Sequence, residues 1–218
     1  MSWSRKLLCF LVGIVIALLI ATCTNNADAR AALDVRIPAT SLQYRMALQQ
    51  AAGEHFGLDA PVARLAAQLQ QESGWNPKAE SPYAQGLAQF TPPTAAWLPK
   101  ICPRIGPPDP WDAGWSIRAQ TCYDAWLYAR APGSGDCARW AMTLSAYNGG
   151  ETALKRERVL ADKAGADPDT WFHETASFRA RGVSAWRENR AYVRRILLVL
   201  EPAYIDAGWP GKAACHVG

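Results

Sequence analysis

Glu72 is the only charged residue in "QLQQES", the stretch from Gln68 to Ser73. A glutamic acid can give and then take a proton if its carboxyl still holds that proton near neutral pH. Its ordinary pKa of about 4.3 is too low for that. Burial among apolar neighbours disfavours the anion and raises the value. The negative end of a helix dipole acts in the same direction. Alanine, leucine and glutamine precede Glu72, and no lysine or arginine lies within five residues on either side. The chemistry implied is general acid–base catalysis. A second acid would have to come from Glu80 in the following loop, from Glu151, or from Asp109 and Asp112 in a proline-rich stretch.

Three short signals follow: "GLAQ" at Gly86–Gln89, "SAYNGG" at Ser145–Gly150 and "ENRAYV" at Glu188–Val193. Singly, each has a plain reading. The first is a turn, the second a helix end whose glycines supply positive φ, and the third places a tyrosine in the core.

Metal chemistry finds little support. No CxxC pair occurs, and His55, His173 and His216 are scattered, so neither a metal nor a cofactor is expected. Residues 1–29 read as a secretory signal peptide. "MSWSRK" is its basic start. The uncharged run Leu7–Ala21 is shorter than the roughly 20 residues a spanning helix needs. "ADA" at Ala27–Ala29 offers a small-x-small cleavage site. An uncleaved anchor and a loosely matched lipoprotein box ending at Cys23 stay open. Each places the body of the protein, residues 30–218, outside the cytoplasm, in a periplasmic or extracytoplasmic space. There Cys102, Cys122, Cys137 and Cys215 are expected to form two disulfides, with three connectivities open. The formal charge of +4 suits an anionic polymer such as a bacterial cell wall and is too weak to argue for nucleic acid. The ten tryptophans read as buried indoles or as sugar-stacking surfaces.

The elements that must position Glu72 are helical. Half the residues are hydrophobic and 19% are charged, enough apolar mass for a core. Apolar periodicity predicts helices over about 42–55, capped by Ser41 and stopped by Gly57, and over a segment capped by Asp59 that ends at Glu72. Further helices are expected in "TPPTAAWL", "WSIRAQTCYDAWLYAR", "DCARWAMTLSAYN", about 151–163 and about 184–205, with a long loop over 164–183. No period-2 strand is found. The fold class is all-α: six to eight helices in a single domain.

The order and spacing of the motifs carry a resemblance. From about Ala47 to Leu200 the chain resembles the catalytic domain of the soluble lytic transglycosylase family, which has the lysozyme-like fold and cleaves peptidoglycan. Glu72, Ser73, Trp75, Asn76 and Pro77 match its Glu-Ser-aromatic-Asn-Pro. Gly86, Leu87, Ala88 and Gln89 match its Gly-Leu-Met-Gln. Ala146, Tyr147, Asn148, Gly149 and Gly150 match its Ala-Tyr-Asn-x-Gly. Glu188–Val193 match its Glu-Thr-x-x-Tyr-Val. The resemblance implies that Glu72 is the single catalytic acid, and that Ser73, Gln89, Tyr147 and Asn148 line the sugar site. Tyr192 would bond the catalytic carboxyl.

The resemblance also implies a 1,6-anhydromuramoyl product formed without water. Ordinary glycosidases need two carboxylates, so a hydrolytic muramidase using Glu80 is one alternative and a non-catalytic wall-binding protein another. By analogy, a secretion, conjugation or phage assembly is the expected partner machinery. Ala88 for methionine, Asn189 for threonine and Ser145 for alanine depart from the pattern without removing a catalytic group. Glu188 is expected in an ion pair with an arginine, and Trp75 as a wedge in the loop.

Overall fold

The computed structural model describes residues 35–215. The expected export segment, residues 1–29, lies outside the described residues, as do 30–34 and 216–218. Among the described residues the expected all-α class holds. Extended pairing is confined to Glu80 with Gln85 and Gln85 with Phe90.

A 3-10 turn over Ala39–Tyr44 leads into α1, Arg45–Phe56, and α2 follows at Val62–Ser73. After the loop come α3 at Pro92–Trp97, α4 at Ala113–Arg130, α5 at Asp136–Gly149 and α6 at Glu151–Lys163. The last helical stretch comprises α7 at Val183–Arg195, a π-helical turn over Ile196–Leu200 and α8 at Glu201–Asp206. Pro202 lacks the N–H that a regular ladder requires there, and the wider π turn sits directly before it.

α2 positions the acid. All residues from Val62 to Leu69 are buried, because small and branched side chains let α1, α8 and the π turn pack closely around it. Its one buried cation, Arg64, reaches Glu201 at 2.6 Å and lies over Trp140 at 4.4 Å. Removing one partner of such a pair costs roughly 3–5 kcal/mol, so this contact fixes α2 against α8. α5 packs against α4, α6 and α7 and brings the "SAYNGG" segment to the same end of the molecule as Glu72.

Two expected caps are not used. Ser41 lies buried inside the first 3-10 turn, which starts after Pro38. Asp59 belongs to a separate turn over Gly57–Asp59. The first turn of α2 finds its acceptor elsewhere: Ala63 N–H donates to Pro210 O at 2.8 Å. The C-terminal segment satisfies the helix start that a side chain was expected to cap. Thr91 does cap α3, accepting from Thr94 N–H, and Gly57 ends α1 at φ 70.

Cys102 pairs with Cys122 and Cys137 with Cys215, at Cα separations of 6.2 and 4.7 Å. The loop over 164–182 is packed surface. Trp171 is buried beneath it, Asp169 pairs with Arg158, and Arg190 donates to the carbonyls of Ala176 and Phe178 at 3.0 and 2.9 Å.

Candidate active site

α2 ends at Gly74, whose φ of 59 and ψ of 28 reverse the chain while its N–H closes on Gln70 O at 3.0 Å. Trp75 continues in the same region at φ 67, a strain of about 1 kcal/mol for a bulky residue. It is held there from the core side. Its indole donates to Tyr204 Oη at 2.6 Å, that hydroxyl donates to Gln70 Oε1 at 2.6 Å, and the ring stacks on Tyr44 at 5.9 Å. Trp75 is therefore the wedge expected of it, and Glu72 is presented at a fixed helix end.

The Glu72 carboxyl opens on a cleft of about 470 Å³, lined among others by Gln89, Tyr147, Asn148, Glu188 and Tyr192. Tyr192 on α7 donates to Glu72 Oε1 at 2.5 Å. Burial pushes the Glu72 pKa up to about 8, against the opposing pull of the Tyr192 hydrogen bond and with added repulsion from Glu188. The acid is thus protonated at neutral pH. Once it has given up its proton it is a base strong enough to reclaim one.

The loop from Asn76 to Phe90 forms the opposite wall. At Gly86, φ is 78 and a Cβ would stand 1.7 Å from Pro110 O, so only glycine fits. Gln89 follows at φ 48. Its Nε2 donates to the carbonyls of Ala79 and Gly86 at 3.1 and 3.0 Å, which fixes the amide at the cleft wall. Tyr147 donates to Ala88 O at 2.9 Å and packs its ring against Phe90 and Tyr123. Ala88 is fully buried, so the smaller side chain at this position alters the core under the wall and not the cleft surface.

Four of the five site residues expected beside Glu72 thus come together around it: Gln89, Tyr147, Asn148 and Tyr192 line one cleft. Ser73 does not join them. Its hydroxyl donates back to Leu69 O at 3.3 Å, a local bond within the helix.

None of the four candidate second acids lines the cleft. Glu80 is exposed outside the cleft lining. Glu151 pairs with Arg130 at 3.3 Å, Asp112 caps α4, and Asp109 accepts from Asp112 N–H. The carboxyls that bear on the site are two others. Glu188, expected in an ion pair, lines the cleft. Asp124 is fully buried under α2, accepting from Gln68 Nε2 at 3.5 Å, and burial holds it well above the usual carboxylate range.

Sequence reasoning also missed Tyr83, which is 80% exposed on the cleft rim, and Arg195 at its edge. A lone aromatic in a Gly/Pro-punctuated loop was the available signal for Tyr83. Trp75, Trp115, Trp140, Trp171 and Trp209 follow the plain reading and are buried, Trp111 is exposed, and among the described residues no indole lines the cleft.

A helical body that delivers one protonated glutamate from the end of a buried helix into a polar cleft defines the class of lysozyme-like domains. Within that class the chain belongs to the transglycosylase SLT domain family, whose profile matches residues 48–169. It is 34% identical over 131 residues to membrane-bound lytic murein transglycosylase F of Shewanella frigidimarina, and 37% identical over 144 residues to the protein of that name in Alcanivorax borkumensis. These matches cover 59% and 65% of this chain but 25% and 26% of the relatives, so the chain spans about a quarter of their length. The 70 kDa soluble lytic transglycosylase of Escherichia coli shares the fold at a TM-score of 0.52 and 24% identity. That alignment covers 76% of this chain and 25% of the other. A structure of that enzyme with bulgecin A aligns over 81% of this chain, also at a TM-score of 0.52.

Proposed function

We propose that the protein is an exported lytic transglycosylase that cleaves the β-1,4 bond between N-acetylmuramic acid and N-acetylglucosamine in peptidoglycan. The observation that carries this reading is Glu72, raised to about 8 by burial and bonded by Tyr192 in the cleft. Glu72 gives its proton to the glycosidic oxygen as the C–O bond breaks, and the substrate's own acetamido oxygen supports the positive charge at the anomeric carbon. The Glu72 carboxylate then takes the proton of the muramic 6-hydroxyl as that oxygen closes on the same carbon. The acid is regenerated and a 1,6-anhydro end is left, with no water consumed. The names of the relatives support the substrate. The export segment, the two disulfides and a wall opened locally for a secretion, conjugation or phage assembly belong to the same reading.

Glu188 favours a second reading, because it places another carboxylate in the cleft that could activate a water. Mass spectrometry of digested peptidoglycan decides between them. Transglycosylase chemistry leaves anhydro ends. Reducing ends heavier by one water would replace the proposal with a muramidase.

A further inference from the structure

Two departures from the family pattern, Ser145 and Asn189, are hydrogen-bonded to each other, and the pair reaches the cleft through Asn148. Asn189 is fully buried on α7, and all of its side-chain polar capacity is used. Its Oδ1 accepts from Ser145 Oγ at 2.8 Å and from Arg190 Nη1 at 3.0 Å. Its Nδ2 donates to Ser145 O at 3.0 Å and to Asn148 Oδ1 at 2.8 Å.

Two of these partners admit one role each. A guanidinium only donates and a backbone carbonyl only accepts, so they fix which end of the Asn189 amide is which. The end that faces Asn148 is therefore a donor, and Asn148 must meet it with its oxygen. That leaves the Asn148 NH2 for the cleft.

The arrangement is anchored behind. Buried Glu157 holds Arg190 and Arg181 at 2.9 Å each. Gly149 is what admits them: a Cβ there would lie 1.7 Å from Arg181 Nη1 and 3.0 Å from Asn189 Nδ2. The first glycine of "SAYNGG" thus serves close approach, and Gly150, at φ 81, supplies the turn.

We propose that Asn189 is a positioning residue that locks the Asn148 amide with its NH2 toward the cleft, so that this point of the site accepts only a substrate oxygen. The inference rests on the proposed transglycosylase reading for its substrate, an oxygen acceptor of the glycan, but not for the orientation itself.

Two measurements test it on the full-length protein. In proton–nitrogen spectra of the unliganded wild type, the Asn189 side-chain amide protons are expected to be protected from solvent exchange. Those of Asn148, assigned by their loss in Asn148→Asp, are expected to exchange freely. Protected Asn148 protons would overturn the orientation, whatever the activity. In turnover of soluble peptidoglycan strands, Asn189→Asp presents an acceptor to Asn148, which must turn its NH2 inward and its oxygen to the substrate. KM is expected to rise about tenfold, with kcat within about threefold and the pH profile unchanged. A merely structural role would lower the melting temperature and leave KM alone, and that result overturns the proposal. If the wild type releases no anhydro ends, the functional reading fails, and the exchange pattern still decides the orientation.

Discussion

Tyr192 Oη donates to Glu72 Oε1 at 2.5 Å, joining the C-terminal end of α2 to α7 across 120 positions of the chain. The bond stabilises the carboxylate more than the acid, so it lowers a pKa that burial raises. Removing it with Tyr192→Phe moves the Glu72 pKa above about 8. The alkaline limb of the pH–rate profile shifts up in pH, and kcat falls about tenfold because the carboxylate formed during catalysis loses its donor. Rates across pH 5–10 on peptidoglycan check both. A limb that stays in place or moves down would disconnect the hydroxyl from the acid.

Glu72→Gln removes the proton donor while keeping the shape of the side chain. Activity is expected to fall by about 10²–10⁴-fold, the usual contribution of a positioned acid. Stability is expected to change with the opposite sign. A carboxyl raised from 4.5 to about 8 binds more protons folded than unfolded. The stability it allows is fully present below pH 4.5 and is lost as pH rises toward 8. Glutamine does not titrate, so the variant and wild type melt together near pH 4. The variant becomes the more stable as pH rises, by on the order of 2 kcal/mol at pH 9 after discounting for the side open to the cleft. Thermal melts at the two pH values measure the difference.

The sequence made the acid and most of its surroundings legible for a physical reason. Helical periodicity and a left-handed glycine are local signals, and they mark where α2 stops and which residue it presents. Partners that arrive through the fold leave no such trace. Asp124 sits on α4 in a helical pattern that gives no hint that its carboxyl turns inward under Glu72. The arginines that neighbour Glu188 in sequence suggest an ion pair, and only the helix phase shows that its side chain also lines the cleft. Ser73 illustrates the reverse: a hydroxyl at a helix end can bond its own helix, and here it donates to Leu69 O. The expected caps go unused, since the acceptor for the start of α2 is Pro210, at the far end of the chain. Ser145 and Asn189 were visible as departures, and only the fold shows that they touch.

Tyr83 stands on the cleft rim with four-fifths of its surface exposed, and its backbone N–H donates to Ser81 Oγ. An aromatic face so placed can stack on a sugar ring, a contact worth about 1 kcal/mol. Tyr83→Ala is therefore expected to raise KM about fivefold, with kcat and the melting temperature unchanged, whereas Tyr83→Phe keeps the wild-type KM. Kinetics and a melt of the two variants separate stacking from a role for the hydroxyl. Loss of binding in both would point to the hydroxyl.

The Cys137–Cys215 disulfide closes a loop of 78 residues, tying the start of α5 to the segment after α8. Next to it, Ala214 N–H donates to Glu201, the buried partner of Arg64. The bridge therefore holds down the segment that completes both the buried ion pair and the start of α2. Chain entropy alone assigns about 4 kcal/mol to a loop of this size, and about 3 kcal/mol to the 20-residue loop of Cys102–Cys122. Replacing Cys137 and Cys215 together with serine is expected to cost the larger amount and to lower the melting temperature more than the Cys102/Cys122 double replacement. Because α2 loosens with the segment, Glu72 becomes better hydrated and its pKa falls from about 8 toward the ordinary carboxylate range. The alkaline limb of activity should move down with it. Melts and pH–rate profiles of the two double variants test this coupling. Equal profiles would confine the bridge to stability and leave the acid's environment to α2 alone.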